Sequence, residues 1–224
     1  MTLGFSKSNS KMAVLANYLN VKKSEVVSFD VPAGWTCAKA GICKGFAHKE
    51  TGKLTQVGRV KCYAVKQENY LPTVRAFRWN NFNQLLACGN DTDKMVELIL
   101  TSIPKNAKII RIHSSGDYFK KEYFMAWVRV AYLRPDLTLF GYTKHLDYAK
   151  YENKPNNFKL VYSFGSKDDT RFTMEEIENV PACYIEEFAG QYGADIPRVC
   201  ATHADGWQDY FKILEGESFV IPIH

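Results

Sequence analysis

Several things are missing from this sequence, and each absence narrows what the protein can be. No apolar run approaches the roughly 20 residues a bilayer-spanning helix needs; FMAWVRVAYL, among the longest, is interrupted by Arg129. The opening MTLGFSKSNSK has neither an apolar core of signal-peptide length nor a small-residue cleavage pattern, which predicts a cytosolic protein. None of the six cysteines falls in a C-x2-C pair, which argues against zinc fingers, zinc ribbons and the bacterial-ferredoxin run. The C-x3-C-x2-C signature of radical enzymes that use S-adenosylmethionine is missing too. There is no internal repeat and no low-complexity linker, so the 224 residues read as one domain. Neither sign of charge dominates. A net charge of +5 permits contact with nucleic acid or an acidic partner without requiring it.

What is present is a substantial core and an unusual stretch of cysteines. Hydrophobic residues make up 46% of the chain and aromatics 14%, enough to fold a large domain. Three of the six cysteines, Cys37, Cys43 and Cys62, lie within 26 residues at C-x5-C and C-x18-C spacing. Lys39, Lys44, Lys49, Lys53, Arg59 and Lys61 surround them, with Glu50 the single acid. A reducing cytosol disfavours a disulfide framework, and clustered thiols there hold metal or do redox work. Cations and glycines around them suit thiolates, so the stretch predicts a metal centre, with an iron–sulfur cluster favoured over zinc. Three unrelated buried cysteines are the competing reading, because free cysteine is a common core residue.

Along the chain, SKMAVLANYLN from Ser10 has helical spacing at Met12, Leu15, Ala16 and Leu19. EVVSFDV reads as a strand halted at Pro32 and Gly34. HKETGKLTQVG predicts a hairpin turning at Gly52, and TVRAFRWNNFNQLLAC a helix ending at Gly89. DKMVELILTSI, capped by Asp91 or Thr92, is a helix stopped by Pro104. AKIIRIH is the kind of strand that is buried on both faces. SSGD then turns into a helix whose stripe is Phe119, Tyr123, Trp127 and Val130. DLTLFGYT, FKLVYSF, ACYIEEF, IPRVCAT and SFVIPI read as further strands; KHLDYAKYEN starts a helix, and Thr173 with Glu176 forms a capping box. Strand and helix alternating in this way predict an α/β fold of βαβ units. The parallel or mixed sheet is open or shaped like part of a barrel, and residues of about 30–65 form a metal-binding elaboration of the single 1–224 domain.

Three thiolates need a fourth ligand to complete a tetrahedral zinc site or a four-thiolate cluster. The candidates are His48, Cys88, Cys183, Cys200 and His203. Cys200 is preferred because RVCATHADG places it at a strand end, where loops of a parallel sheet converge on ligands. Cys183 alternates within ACYIEEF and Cys88 ends a helix, so both suit the core, and His48 is the main rival.

RIHSSGDYF is a second constellation. His113 ends a buried strand, Ser115 sits in the turn, and Asp117 precedes a helix. The turn's N–H groups attract anions and His113 can exchange protons, a ligand-site reading. The alternative has Ser115 or Asp117 capping the helix and His113 bonded within the sheet. Lys144, in YTKH, falls on the same edge as these residues. A metal-independent hydrolase built on His113 and Asp117 has no nucleophile beside them. VRAFRWNNFNQ interleaves cations and aromatics and reads as an amphipathic helix rather than a base-stacking surface, with Arg78 free to face the thiolates.

SNSKM, SFDVPAGWTC, CYA, IHSSGDYF and FGYTK together resemble a phage-encoded family, gene product eighty-eight, over about Asn9 to Lys144. RVCAT is a weaker match further on. Ala38 stands where proline commonly follows the first cysteine, and the insertion between Cys43 and Cys62 is long. The resemblance implies viral origin, hence the host cytoplasm, and a shared cysteine centre expected to be an iron–sulfur cluster. It brings no activity with it. The expectation is therefore a [4Fe-4S] protein held by Cys37, Cys43, Cys62 and Cys200, serving a redox partner, a sensing role or a small molecule. The alternative is a zinc-stabilised module that binds host protein or nucleic acid. His113, Ser115, Asp117 and Lys144 are the ligand-binding candidates.

Overall fold

The computed structural model describes residues 1–7, 10–173, 176–177, 180–185 and 208–221. Its chain begins with β1 (Ser6–Lys7), α1 (Ser10–Tyr18) and β2 (Val26–Phe29), and β1 pairs antiparallel with β2. The cysteine stretch follows, holding a two-stranded hairpin of β3 (Gly45–Ala47) and β4 (Leu54–Gln56) that turns where predicted, at Gly52 with φ +73°. Three helices come next: α2 (Tyr63–Tyr70), α3 (Pro72–Ala87) and α4 (Thr92–Ser102). Gly89, at φ +59°, ends the second, and the Asp91 carboxylate accepts the Lys94 N–H to cap the third.

From β5 (Ile109–Ile112) onward the alternation is regular. α5 (Lys121–Leu133), β6 (Thr138–Thr143), α6 (Leu146–Ala149), β7 (Phe158–Ser163), β8 (Ala182–Ile185), α7 (Gln208–Glu215) and β9 (Phe219–Ile221) complete the described elements. The sheet order is β1-β2-β5-β6-β7-β8-β9, and every pair except β1 with β2 is parallel. Each new parallel strand is laid beside the previous one, so the six are singly wound, and antiparallel β1 makes the open seven-stranded sheet mixed, in keeping with the α/β alternation.

Helices cover both faces. Val27, Phe29, Ile110, Ile112, Leu139 and Leu160 point to one face, where they meet Met95 and Ile99 of α4 and Phe124 and Trp127 of α5. Val26, Ile109, Phe140, Val161, Cys183 and Phe219 point to the other, against Met12 and Leu15 of α1 and Tyr210 and Ile213 of α7. Period-2 alternation therefore delivers two cores from one set of strands, which is why IIRI reads as continuously apolar. One residue breaks that run: Arg111 faces the α1 and α7 side.

Some elements differ from expectation. The stretch after Cys62 forms α2 before α3, because YAVKQENY buries only Ala64, Val65 and Glu68, too little apolar surface to show a period. α5 starts at Lys121, so Tyr118 and Phe119 precede it and neither Ser115 nor Asp117 caps it. KHLDYAKYEN yields one turn of helix, and α7 was not anticipated. IPRVCAT lies outside the described residues. The Thr173 capping box is present: its N–H and hydroxyl donate to Glu176, whose N–H returns to Thr173 Oγ1. Among the described residues no helix is long and apolar enough to cross a membrane.

Candidate functional site

The carboxyl ends of β2, β5, β6 and β7 share one edge of the sheet, and the cysteine stretch is fastened across it. At the β7 end, the Gly41 and Ile42 N–H groups both donate to the Gly165 carbonyl at 3.0 Å. Ser166 Oγ and the Lys167 N–H donate to the Lys39 carbonyl, and the Lys39 ammonium pairs with Asp168. At the β5 end, the Asp117 N–H donates to Thr36 Oγ1 at 3.2 Å, and Tyr63 Oη donates to the Ser114 carbonyl. Lys44 reaches back within the loop to the Gly34 carbonyl at 2.6 Å and the Cys37 carbonyl at 3.0 Å.

Cys37, Cys43 and Cys62 are all half-buried, and Cys37 lies within electrostatic reach of the other two. Burial pushes the Cys37 thiol well above its ordinary value, and Asp117, Cys62 and Cys43 add to that rise. Cys62 is raised by burial as well, with Cys43 contributing. Backbone donors oppose these shifts. The Gly34 N–H points at Cys37 Sγ at 3.3 Å, while Cys62 is the residue preceding α2, where the Val65 and Ala64 N–H groups favour its thiolate. No three His, Cys, Asp or Glu side chains among the described residues sit tightly enough to hold a single metal ion. As for the fourth-ligand candidates, Cys200 and His203 lie outside the described residues. His48 is on the hairpin turn, its Nδ1 engaged by Thr51 and Glu50. Cys88 leans on the α4–α5 core at the end of α3, and Cys183 is buried against α1 and α7.

His113, Ser115, Asp117 and Lys144 are gathered at the strand ends, and the structure uses each of them internally. His113 adopts φ +64° and shares a 2.9 Å hydrogen bond from Nε2 with Tyr123 Oη, its Nδ1 without a partner. Burial, with Arg111 and His145 nearby, lowers its pKa to about 3, so it is neutral at pH 7. Ser115 Oγ donates to the Val31 carbonyl at 3.0 Å and to Glu68 Oε1 at 3.2 Å. Asp117, raised by burial, accepts from Thr143 Oγ1, the Tyr118 N–H and the Lys144 N–H. The Lys144 ammonium is held by the carbonyls of Ser163 and Phe164 and by Ser163 Oγ.

Two acids absent from the sequence reading organise this edge. Asp30 Oδ1, just past β2, accepts from Ser114 Oγ at 2.9 Å and the Ser115 N–H at 3.0 Å. Glu68 Oε1 accepts from the Ala33 N–H, Ser115 Oγ and Arg78 Nη1, joining the loop, the turn after β5, and α3. Burial pushes the Glu68 carboxyl up, while the Ala33 N–H and Arg78 pull it back. Arg78 therefore pairs with Glu68 rather than facing the thiols. Arg75 is likewise internal, donating to the carbonyls of Glu68 and Lys49. A lone glutamate in a weakly apolar helix gave little warning of this; the nearest signal was its spacing of six from Cys62.

A singly wound α/β sheet bearing a three-cysteine loop on the carboxyl edge of its strands defines the class. The Gene product 88 family matches residues 3–213, and the chain belongs to it. The "Gene 88 protein" of Mycobacterium phage L5 is 27% identical over 148 residues, which is 61% of this chain and 61% of that relative. The chain thus aligns with less than two thirds of the relative's length. No solved structure matches.

Proposed function

We propose that this phage-type protein binds an iron–sulfur cluster, of the [4Fe-4S] kind, through Cys37, Cys43 and Cys62, with Cys200 as the fourth ligand. The observation that carries the proposal is three half-buried thiols on one loop at the strand ends, within electrostatic reach of one another, with the Gly34 N–H 3.3 Å from Cys37 Sγ. Half-buried thiols near one another and near Asp117 have little reason to be there for packing. A cation or cluster in their midst removes the penalty, since coordinated thiols ionise outright. A cluster spreads its cysteine ligands over several iron atoms.

When bound, such a cluster supplies one-electron chemistry, or Lewis acidity if one iron is left open. This chain's own residues hold the thiols in place, keep them partly buried and aim the Gly34, Ala64 and Val65 N–H groups at sulfur. Hydrogen bonds to sulfur stabilise the more negative, reduced state. A redox partner or a small molecule in the host cytoplasm would use that state.

A zinc-stabilised module that binds host protein or nucleic acid is the second reading. Exposed Trp35, Tyr63 and Tyr70 among exposed Lys49, Lys53, Lys61 and Lys66 favour it. Anaerobic purification with iron, sulfide and zinc counts separates the two. Brown protein containing iron and sulfide supports the cluster, and colourless protein with stoichiometric zinc overturns it. In the zinc case, DNA affinity that falls steeply with salt would identify nucleic acid as the partner.

A further inference from the structure

The α1 and α7 side of the sheet holds a charge with no counter-ion among the described residues. Arg111 is 8% exposed in the middle of β5, and its guanidinium makes no ion pair among the described residues. Its Nε has no partner, and Nη2 reaches only Tyr63 Oη, at 3.5 Å. The group lies over the Tyr210 ring, 4.9 Å from its centroid. Asp30 stands in the same neighbourhood but gives one carboxylate oxygen to Ser114 and Ser115. Asp209 is taken by Lys11 at 2.5 Å and Tyr142 Oη at 2.7 Å.

Burying a charge without a partner costs several kcal/mol, and guanidinium, unlike lysine or histidine, cannot escape by losing its proton. A core position that tolerates this is one where something else brings the negative charge. Tyr210 Oη is also buried without a partner, which leaves a donor over beside the guanidinium; Asp209 Oδ1 is unpartnered too, but Lys11 balances that carboxylate's charge. Tyr63, a 54% exposed residue next to Cys62, accepts from Arg111 Nη2 while its own hydroxyl proton goes to the Ser114 carbonyl. Arg111 lies one residue short of the carboxyl end of a parallel strand, the edge where open α/β sheets take ligands.

We infer that Arg111, with the Tyr210 hydroxyl as a further donor, forms a binding site for the carboxylate or phosphoryl group of a small anionic molecule. The guanidinium receives the oxyanion through two parallel N–H donors. Tyr63 covers it and links it to the cysteine loop. The inference does not depend on which metal, if any, the cysteines hold.

The test is the melting temperature of the full-length protein, purified anaerobically, with succinate or inorganic phosphate against chloride at matched ionic strength. Wild type is expected to melt higher with one of the two anions, and which one identifies the carboxylate or the phosphoryl source. Arg111→Met is expected to abolish that shift, while its anion-free melting temperature equals or exceeds that of wild type because an unpaired buried charge has gone. Arg111→Lys keeps the charge but loses the fork, and should weaken the response at least tenfold in anion concentration. A wild-type melting temperature indifferent to both anions overturns the inference. So does an Arg111→Met protein that melts markedly lower without anion, because that is how a structural arginine behaves.

Discussion

Glu68 and Arg78 face each other between α2 and α3, Oε1 3.0 Å from Nη1, with side chains 0% and 4% exposed. Because the same Oε1 also receives Ala33 and Ser115, this pair anchors the cysteine loop to the sheet edge. Glu68→Ala leaves Arg78 buried and unpaired and should cost about 3–5 kcal/mol. The Glu68→Leu and Arg78→Met double variant should lose less than the sum of its single changes. Urea denaturation of the four proteins measures the coupling, and additivity would show that the pair does not act as a unit.

The cysteines make a sharper separation. Cys37→Ser, Cys43→Ser and Cys62→Ser should each abolish metal retention during anaerobic purification, whereas Cys88→Ser, at the end of α3, should not. Full metal occupancy in any of the first three removes that residue from the ligand set.

Gly34 has φ +75°, and a Cβ placed on it would stand 1.7 Å from the Gly45 carbonyl oxygen. Gly34→Ala therefore combines a left-handed conformation, worth about 1–2 kcal/mol, with a backbone collision at the base of the hairpin. The Gly34 N–H that points at Cys37 shifts with it. The expected outcome is lower stability together with lower iron content. A variant with unchanged denaturation midpoint and unchanged iron would show that the hairpin accommodates the methyl group.

Asp168 gives the loop an acid limit. The Lys39 ammonium beside it holds its carboxyl below the usual range. An aspartate in the unfolded chain titrates near about 3.9. The pair's contribution is therefore complete above that pH and is lost as pH falls through the lower folded value. Lys39 is 35% exposed, so solvent screening limits the contribution to about 1 kcal/mol at most. Lys39→Met should lower stability at pH 7 and make a smaller difference at about pH 3, below the ordinary aspartate value, as Asp168 begins to take up its proton. Denaturation midpoints of both proteins at the two pH values check the sign.

The sheet was legible because its strands obey period 2 or run apolar on both faces, as in IIRI, and because Asp91, Pro104, Gly52 and Gly89 punctuate the chain by simple stereochemistry. α2 and α7 were not legible, because what they bury includes Glu68 in one and Asp209 with Tyr210 in the other. A buried acid breaks the pattern that betrays a helix. The same physics hid the polar framework of the site. His113, Ser115, Asp117 and Lys144 drew attention as a turn after a strand, yet Asp30 and Glu68, which accept from that turn, look like ordinary surface acids in sequence. Arg111 did carry a signal, being the one charge inside an otherwise apolar strand.

The contacts that fasten the loop also set an order of events. Ser166 meets the Lys39 carbonyl across a separation of 127 residues, so this contact cannot form until β7 has joined the sheet. Loop closures of that length are slow compared with local helix formation. The thiols should consequently remain reactive toward alkylating reagents during refolding until after the amides of β5 and β6 are protected from exchange. A nascent chain would then receive the proposed cluster late, with most of the domain already made.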